Sequence, residues 1–239
     1  MIHLPGSLTD KNANVWTVDT ANSNCNHDSS SIVTTVDGKT VLDFYTSNGE
    51  SCGLLRPSYT NGDFCDPDSS SVGYSSAIWV KLRPSGTMKN FFTGRTKWFH
   101  KTLITPDDQF GYATHGINHL DPPTTGVNIS YSNDWVFIAT VGYAQDENGD
   151  NITDRRGCST SDFEKRQDYF IGTYQSGPAF KGFVKIPAWD FQSVYGFGNT
   201  WDETARGPGY VADALYFNYK LSIDELNDLW QSTKNEYEP

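Results

Sequence analysis

The sequence predicts an all-β chain, folded as two antiparallel sheets packed as a sandwich and closed by a short C-terminal helix. Three observations predict it. Apolar and β-branched runs of strand length recur along the chain. Gly, Pro and Asn turn chemistry separates them, and one capped amphipathic segment stands at the end.

The runs are Ser31–Val36, Thr40–Tyr45, Ser76–Leu82, Val127–Tyr131, Trp135–Tyr143, Asp168–Tyr174, Phe180–Ile186, Ser193–Gly198 and Tyr210–Tyr219. Between them fall Asp37-Gly38, Asn48-Gly49, Asn61-Gly62, Pro84-Ser-Gly86, Asn148-Gly149 and Gly207-Pro-Gly209. These dipeptides reach the positive φ values that hairpin turns need. The Ser-rich stretch from Asp66 to Val72 is too short to act as a linker between domains, and no repeat is present, so residues 1–239 read as one domain. At the end, Ser222-Ile-Asp-Glu225 is a capping box, and Leu221 can staple against Leu226. Leu226, Leu229 and Trp230 form one apolar face at i, i+3, i+4 spacing, which must dock on the sandwich for so short a helix to persist.

Composition narrows the function. Eighteen Lys+Arg against 29 Asp+Glu give a net charge of −11, which argues against nucleic acid and against an anionic membrane surface as partners. Aromatic residues reach 14%, well above what disordered chains carry, so the chain folds. No run of 18 apolar residues exists, so no membrane insertion is expected, and the start, MIHLPGSLTDKNANVW, carries no apolar signal core. Cys25, Cys52, Cys65 and Cys158 have no zinc spacing. Cys52 and Cys65 bracket a Gly/Pro/Asn-rich loop that a disulfide would order, although the pairing of the four stays open. The sequons at Asn128 and Asn151 are compatible with secretion.

Four segments, in order, carry a family resemblance. Gly209-Tyr-Val-Ala-Asp-Ala-Leu-Tyr-Phe-Asn218 and the helix beginning Ser222-Ile-Asp-Glu225 resemble the closing strand and helix of the laminin-G-like branch of the concanavalin A-like lectin-glucanase superfamily. Ser76-Ala-Ile-Trp79-Val-Lys81 and Asn133-Asp-Trp135-Val-Phe-Ile-Ala139 are similar to two of its inner strands. The first acid of the family's acidic pair falls on Ala212 here, and Asp213 remains. The resemblance implies a jelly-roll sandwich and a role in binding glycans or proteins, often with calcium. The expected function is therefore a non-catalytic, carbohydrate-binding or adhesive module on an extracellular or virion surface, with a glycan as partner and oligomerisation left open.

Candidate residues follow from chemistry. Sugar rings stack their C–H faces on aromatic side chains while polar neighbours take the hydroxyls. The segment Gly198–Gly207 offers Trp201 beside Asp202, Glu203 and Arg206, with Tyr210 just after it; Trp98 and Trp189 are further aromatic candidates. Trp79, Trp135 and Trp230 read instead as core. Asp146, Asn148, Asp150 and Asp154 place oxygen donors at alternate loop positions, a pattern that could hold calcium, although a solvated hairpin tip is the plainer reading.

Two other classes compete. No E-x-D-x-E strand of a glucanase is present. A polysaccharide lyase is the alternative: the segments at Arg95, at His115 and His119, and at Tyr169 and Tyr174 resemble an alginate-lyase trio in the same order, with departures in each. Arg95, Lys97, His100 and Lys101 would supply its basic patch. The second alternative is a structural virion decoration or fibre protein. In the recognition reading no residue is catalytic.

Overall fold

The computed structural model describes residues 2–13, 15–18, 31–44, 53–55, 73–83, 88–93, 100–113, 124–129, 134–146, 148–152, 164–185, 196–198, 205–206, 208–217 and 219–238. All four cysteines lie outside them. Among these residues the strands are β1 (Ile2–Leu4), β2 (Thr17–Val18), β3 (Val33–Val36), β4 (Lys39–Asp43), β5 (Gly53–Leu55), β6 (Tyr74–Leu82), β7 (Met88–Asn90), β8 (Phe92–Thr93), β9 (His100–Ile104), β10 (Gln109–Ala113), β11 (Thr124–Asn128), β12 (Val136–Gln145), β13 (Asn151–Ile152), β14 (Glu164–Thr173), β15 (Ala179–Lys185), β16 (Gly196–Gly198), β17 (Ala205–Arg206) and β18 (Gly209–Phe217).

They form two sheets packed as a sandwich, closed by one helix, α1 (Ile223–Thr233). The first sheet runs β15-β14-β12-β6-β18-β4-β3, with β1 sharing the edge of β18 that β4 uses and β13 folded onto β12. The second runs β11-β10-β9-β8-β16-β5-β2, with β7 beside β9 and β17 beside β7. Pairing is antiparallel except for β17 on β7.

Alternation along each strand splits the apolar residues between two clusters. Tyr74, Ile78 and Val80 of β6 and Val136 and Ile138 of β12 face the inter-sheet core, where they meet Phe92, Phe110, Tyr112 and Phe197 of the second sheet. The other phase, Ala77 and Trp79 with Phe137, Ala139 and Val141, lines the outward face of the first sheet, and α1 covers it through Leu226 and Trp230. Two polar pairs lie inside the sandwich: Ser76 Oγ lies 2.6 Å from Thr140 Oγ1, and the Tyr74 hydroxyl bonds Gln167.

The expected capping box is present. The Glu225 amide donates to Ser222 Oγ at 3.2 Å, and the Ser222 amide donates to Glu225 Oε2 at 2.7 Å. Leu221 and Leu226 are both buried, as the staple requires, and Trp79, Trp135 and Trp230 are core residues. Each of the nine expected runs holds a strand, with two displaced boundaries. Val127–Tyr131 is realised as Thr124–Asn128, because the Ile129 amide leaves the ladder and donates to the Asp108 carbonyl at 2.7 Å. Asp168–Tyr174 begins at Glu164, where polar residues occupy both phases: Lys165 and Gln167 are buried, whereas Arg166 pairs with Asp168 at 2.6 Å on the other face.

Candidate functional site

The outward face of the second sheet carries glycines at four positions, and Gly53, Gly111 and Gly198 are buried there. Leu54, Phe110, Tyr112 and Phe197 point into the core. Their strand neighbours Gly53, Gly111, Gly196 and Gly198 therefore fall on the opposite face. Gly198 pairs with Gly53, so two positions without side chains lie side by side across β16 and β5. Toward β11 the face turns polar: Gln109 Nε2 donates to Asn128 Oδ1 at 3.1 Å, and Thr124 Oγ1 donates to Gln109 Oε1 at 2.7 Å.

Asn90 stands on the same face. It pairs with Leu103, whose neighbour Ile104 is a core residue and whose neighbour Thr102 reaches Thr140 across the core. Asn90 and Leu103 have no accessible surface, yet neither belongs to an apolar cluster. Among the described residues neither Oδ1 nor Nδ2 of Asn90 has a hydrogen-bond partner. Leaving both atoms of a buried amide unmade costs about 1–3 kcal/mol per group.

The segment singled out from the sequence is rooted on this sheet at both ends. It leaves from Gly198 at the end of β16 and returns as β17, whose Ala205 and Arg206 pair with Met88 and Lys89 of β7. Trp201, Asp202 and Glu203 between those roots lie outside the described residues, as do Trp98, Trp189, Arg95, Lys97, His115, His119 and Asp154. Tyr210 is described: it starts β18 on the first sheet, half-buried, with the Arg83 guanidinium 4.1 Å from its ring centre. Tyr169 points into the core, stacked on Phe110 at 4.9 Å with its hydroxyl donating to the Gly111 carbonyl at 2.7 Å; burial raises its pKa well above the ordinary tyrosine value. Tyr174 sits at the β14–β15 hairpin tip, where Gln175 Nε2 donates to its hydroxyl at 2.7 Å.

Asp146, Asn148 and Asp150 form the turn between β12 and β13. Asp146 Oδ1 accepts the amides of Asn148 and Asp150, each at 2.9 Å, and Gly149 takes φ +84° with its amide on the Asp146 carbonyl. The turn is closed by its own hydrogen bonds. Among the described residues no three His, Cys, Asp or Glu side chains come together as a metal set, and no helix is long and apolar enough to cross a membrane.

A second concavity lies on the far side of the molecule, between β1, the β3–β4 turn, β18 and the tail after α1. It measures about 550 Å³. Its floor holds a chain of contacts: His3 Nε2 lies 2.7 Å from Asp213 Oδ1, and the Tyr237 hydroxyl donates to Asp213 Oδ2 at 2.5 Å. Burial and the Asp213 charge both push the Tyr237 pKa up. Gly6 lets the N-terminal chain close this side: its φ is +59°, and a Cβ there would sit 2.1 Å from the Thr40 carbonyl oxygen. Neither Asn90 nor this cleft announces itself in the sequence, because each depends on partners far away along the chain.

No protein-family model and no curated protein sequence matches the chain. Solved structures do. Domain 4 of AbnA, a GH43 extracellular arabinanase from Geobacillus stearothermophilus, in complex with arabinotriose, matches with a TM-score of 0.55 at 15% identity, over 96% of this chain and 97% of that one. The receptor binding domain of the botulinum neurotoxin C/D mosaic serotype matches with a TM-score of 0.54 at 12% identity, over 97% of this chain and 50% of that one. The binding domain of botulinum neurotoxin DC in complex with SialylT matches with a TM-score of 0.52 at 11% identity, and the chain spans 50% of its length. At these identities the likeness is one of fold: a β-sandwich that carries binding domains in other proteins.

Proposed function

We propose that this protein is a non-catalytic carbohydrate-recognition module of an extracellular setting, and that its ligand lies against the outward face of the second sheet at the root of the Gly198–Gly207 segment. The observation that carries this reading is the Gly198–Gly207 segment, rooted at both ends on the second sheet by β16 on β5 and by β17 on β7. Asn90, on β7 beside that root, is a buried amide without a partner among the described residues; it has no accessible surface, so a ligand reaches it only by displacing what covers it. Its donor and acceptor match a pair of sugar hydroxyls. A segment rooted at both ends on one sheet is held by a rigid scaffold. Trp201 supplies the stacking face, Asp202 and Glu203 accept hydroxyl protons, and Arg206 donates.

The arabinanase domain that matches over nearly the whole of both chains was solved with arabinotriose, so short neutral oligosaccharides are the ligands to test first. In a calorimetric titration against an oligosaccharide panel, Trp201→Ala should weaken binding by about 2 kcal/mol, roughly thirtyfold in Kd, with little change in the melt. Lost stability with intact binding would make Trp201 a core residue and remove the segment from the site.

A further inference from the structure

The geometry points to a second ligand site in the cleft between β1, β4, β18 and the tail after α1, selective for a small polyhydroxylated acid such as a uronic-acid monosaccharide. This inference is independent of the site on the second sheet and concerns the opposite face of the molecule.

Three features carry it. The first is a pair of ammonium groups without a direct ion-pair partner among the described residues. Lys11 and Lys39 both line the cleft, and neither ammonium has a carboxylate within 4.0 Å among the described residues. Lys39 Nζ makes a long contact to the Asp37 carbonyl, 3.4 Å, lies 5.8 Å from the Tyr237 ring centre, and adds from a distance to the Lys81 hydrogen bond that holds the Asp37 carboxylate below its ordinary pKa. Asp213 and Glu236 line the same cleft, so its two ammonium groups balance its two acids, where the chain as a whole carries −11. The second is the state of the floor: Asp213 keeps its charge, but His3 occupies one carboxylate oxygen and Tyr237 the other, so it is turned to partners of its own. The third is the lining. Leu215 and Leu229 offer C–H surface, while Thr40 and Glu236 stand at the wall as hydroxyl partners. A volume of about 550 Å³ holds a monosaccharide with room to spare.

The cleft is also positioned by rigid parts. The Lys11 amide donates to the His3 carbonyl at 3.0 Å, holding the two backbones together, and the Tyr237 ring stacks on Trp79 at 4.3 Å. A carboxylate placed between the two ammonium groups would gain attraction that salt screens, and the ring would rest on the leucines.

The test is a titration of the full chain, followed by backbone amide NMR, with glucuronate, galacturonate, glucose and acetate at low salt. Saturable shifts at His3, Lys11, Lys39 and Tyr237 are expected for the two uronates, with Kd about millimolar or tighter. Lys39→Met and Lys11→Met should each weaken uronate binding about tenfold while leaving the melt unchanged, since both are surface cations. Absence of saturable uronate binding would overturn the proposal. So would glucose binding as tightly, since the lysines would then read nothing, or acetate binding as tightly, since the sugar body would then contribute nothing. Uronate shifts confined to the second sheet would assign the acid to the other face and overturn this site alone.

Discussion

The Trp230 indole N–H donates to the Thr173 carbonyl at 2.7 Å, tying the C-terminal helix to the β14–β15 hairpin on the outward face of the first sheet. The same ring is 95% buried by side chains of that face, and Gly177 passes close to its edge. Helix and hairpin thus stabilise each other. Ser222 and Glu225 start the helix, but its apolar face gives it a reason to persist.

Trp230→Ala is expected to lower stability by about 3–5 kcal/mol, and Trp230→Phe, which keeps most of the packing but loses the hydrogen bond, by less. Thermal or urea unfolding followed by circular dichroism measures both. Equal midpoints for wild type and Trp230→Ala would refute the docking.

The Asp146 turn makes a different prediction. One carboxylate oxygen already holds two backbone amides, at Asn148 and Asp150. Asp146→Ala should cost about 1–2 kcal/mol through those lost bonds. Melts in calcium and in EDTA should coincide. A calcium-dependent rise in midpoint that disappears in Asp150→Ala would instead assign the turn to a metal.

Lys89 gives the fold a pH dependence. Its side chain is fully buried, and Asp108 Oδ1 is 3.8 Å away; burial lowers its pKa from 10.5 to about 8. Below pH 8 both folded and unfolded chains carry this proton. Between 8 and 10.5 the unfolded chain still binds it and the folded chain does not, so stability should rise with pH across that window. The expected contribution is about 2–4 kcal/mol. Denaturant unfolding of wild type and Lys89→Met, compared at pH 7.5 and 10, isolates it: the rise should be smaller in the variant. Parallel slopes would show that Lys89 stays charged in the folded state.

Much of this fold was legible because burial leaves a period in the chain. β12 is apolar on both faces, since the inter-sheet core and the helix-covered cluster both claim it, and its run from Trp135 to Tyr143 stands out for that reason. Ser222 and Glu225 declare the helix start by local chemistry alone. The short strands β7 to β10 were not legible. Lys89 and Asn90 are buried polar residues that break the strand pattern, and β10 interrupts its own with Gly111. The sites were less legible still. His3 meets Asp213 across 210 positions, a contact that only the pairing of β1 with β18 creates. Trp201 could be singled out from its polar neighbours, whereas Asn90 could not, because an asparagine in sequence looks the same whether its amide is bonded or not.

Asn90 supplies the sharpest test of the recognition surface, because stability and binding should move in opposite directions. If its amide is kept for a ligand, the unliganded fold carries the cost of two buried polar atoms without partners among the described residues. Asn90→Leu removes those atoms at nearly constant volume, next to Leu103 on the neighbouring strand. The variant should therefore be more stable than wild type by about 1–2 kcal/mol. Binding of the oligosaccharide selected by wild type should fall by about tenfold or more, since the sugar hydroxyls lose a donor and an acceptor. Asn90→Ala, which leaves a void, should lose the binding without the gain in stability. Urea unfolding and calorimetry on the same three samples read both quantities. A less stable Asn90→Leu with unchanged affinity would mean that the amide serves the fold, and the glycine-floored face would lose the residue that singles it out.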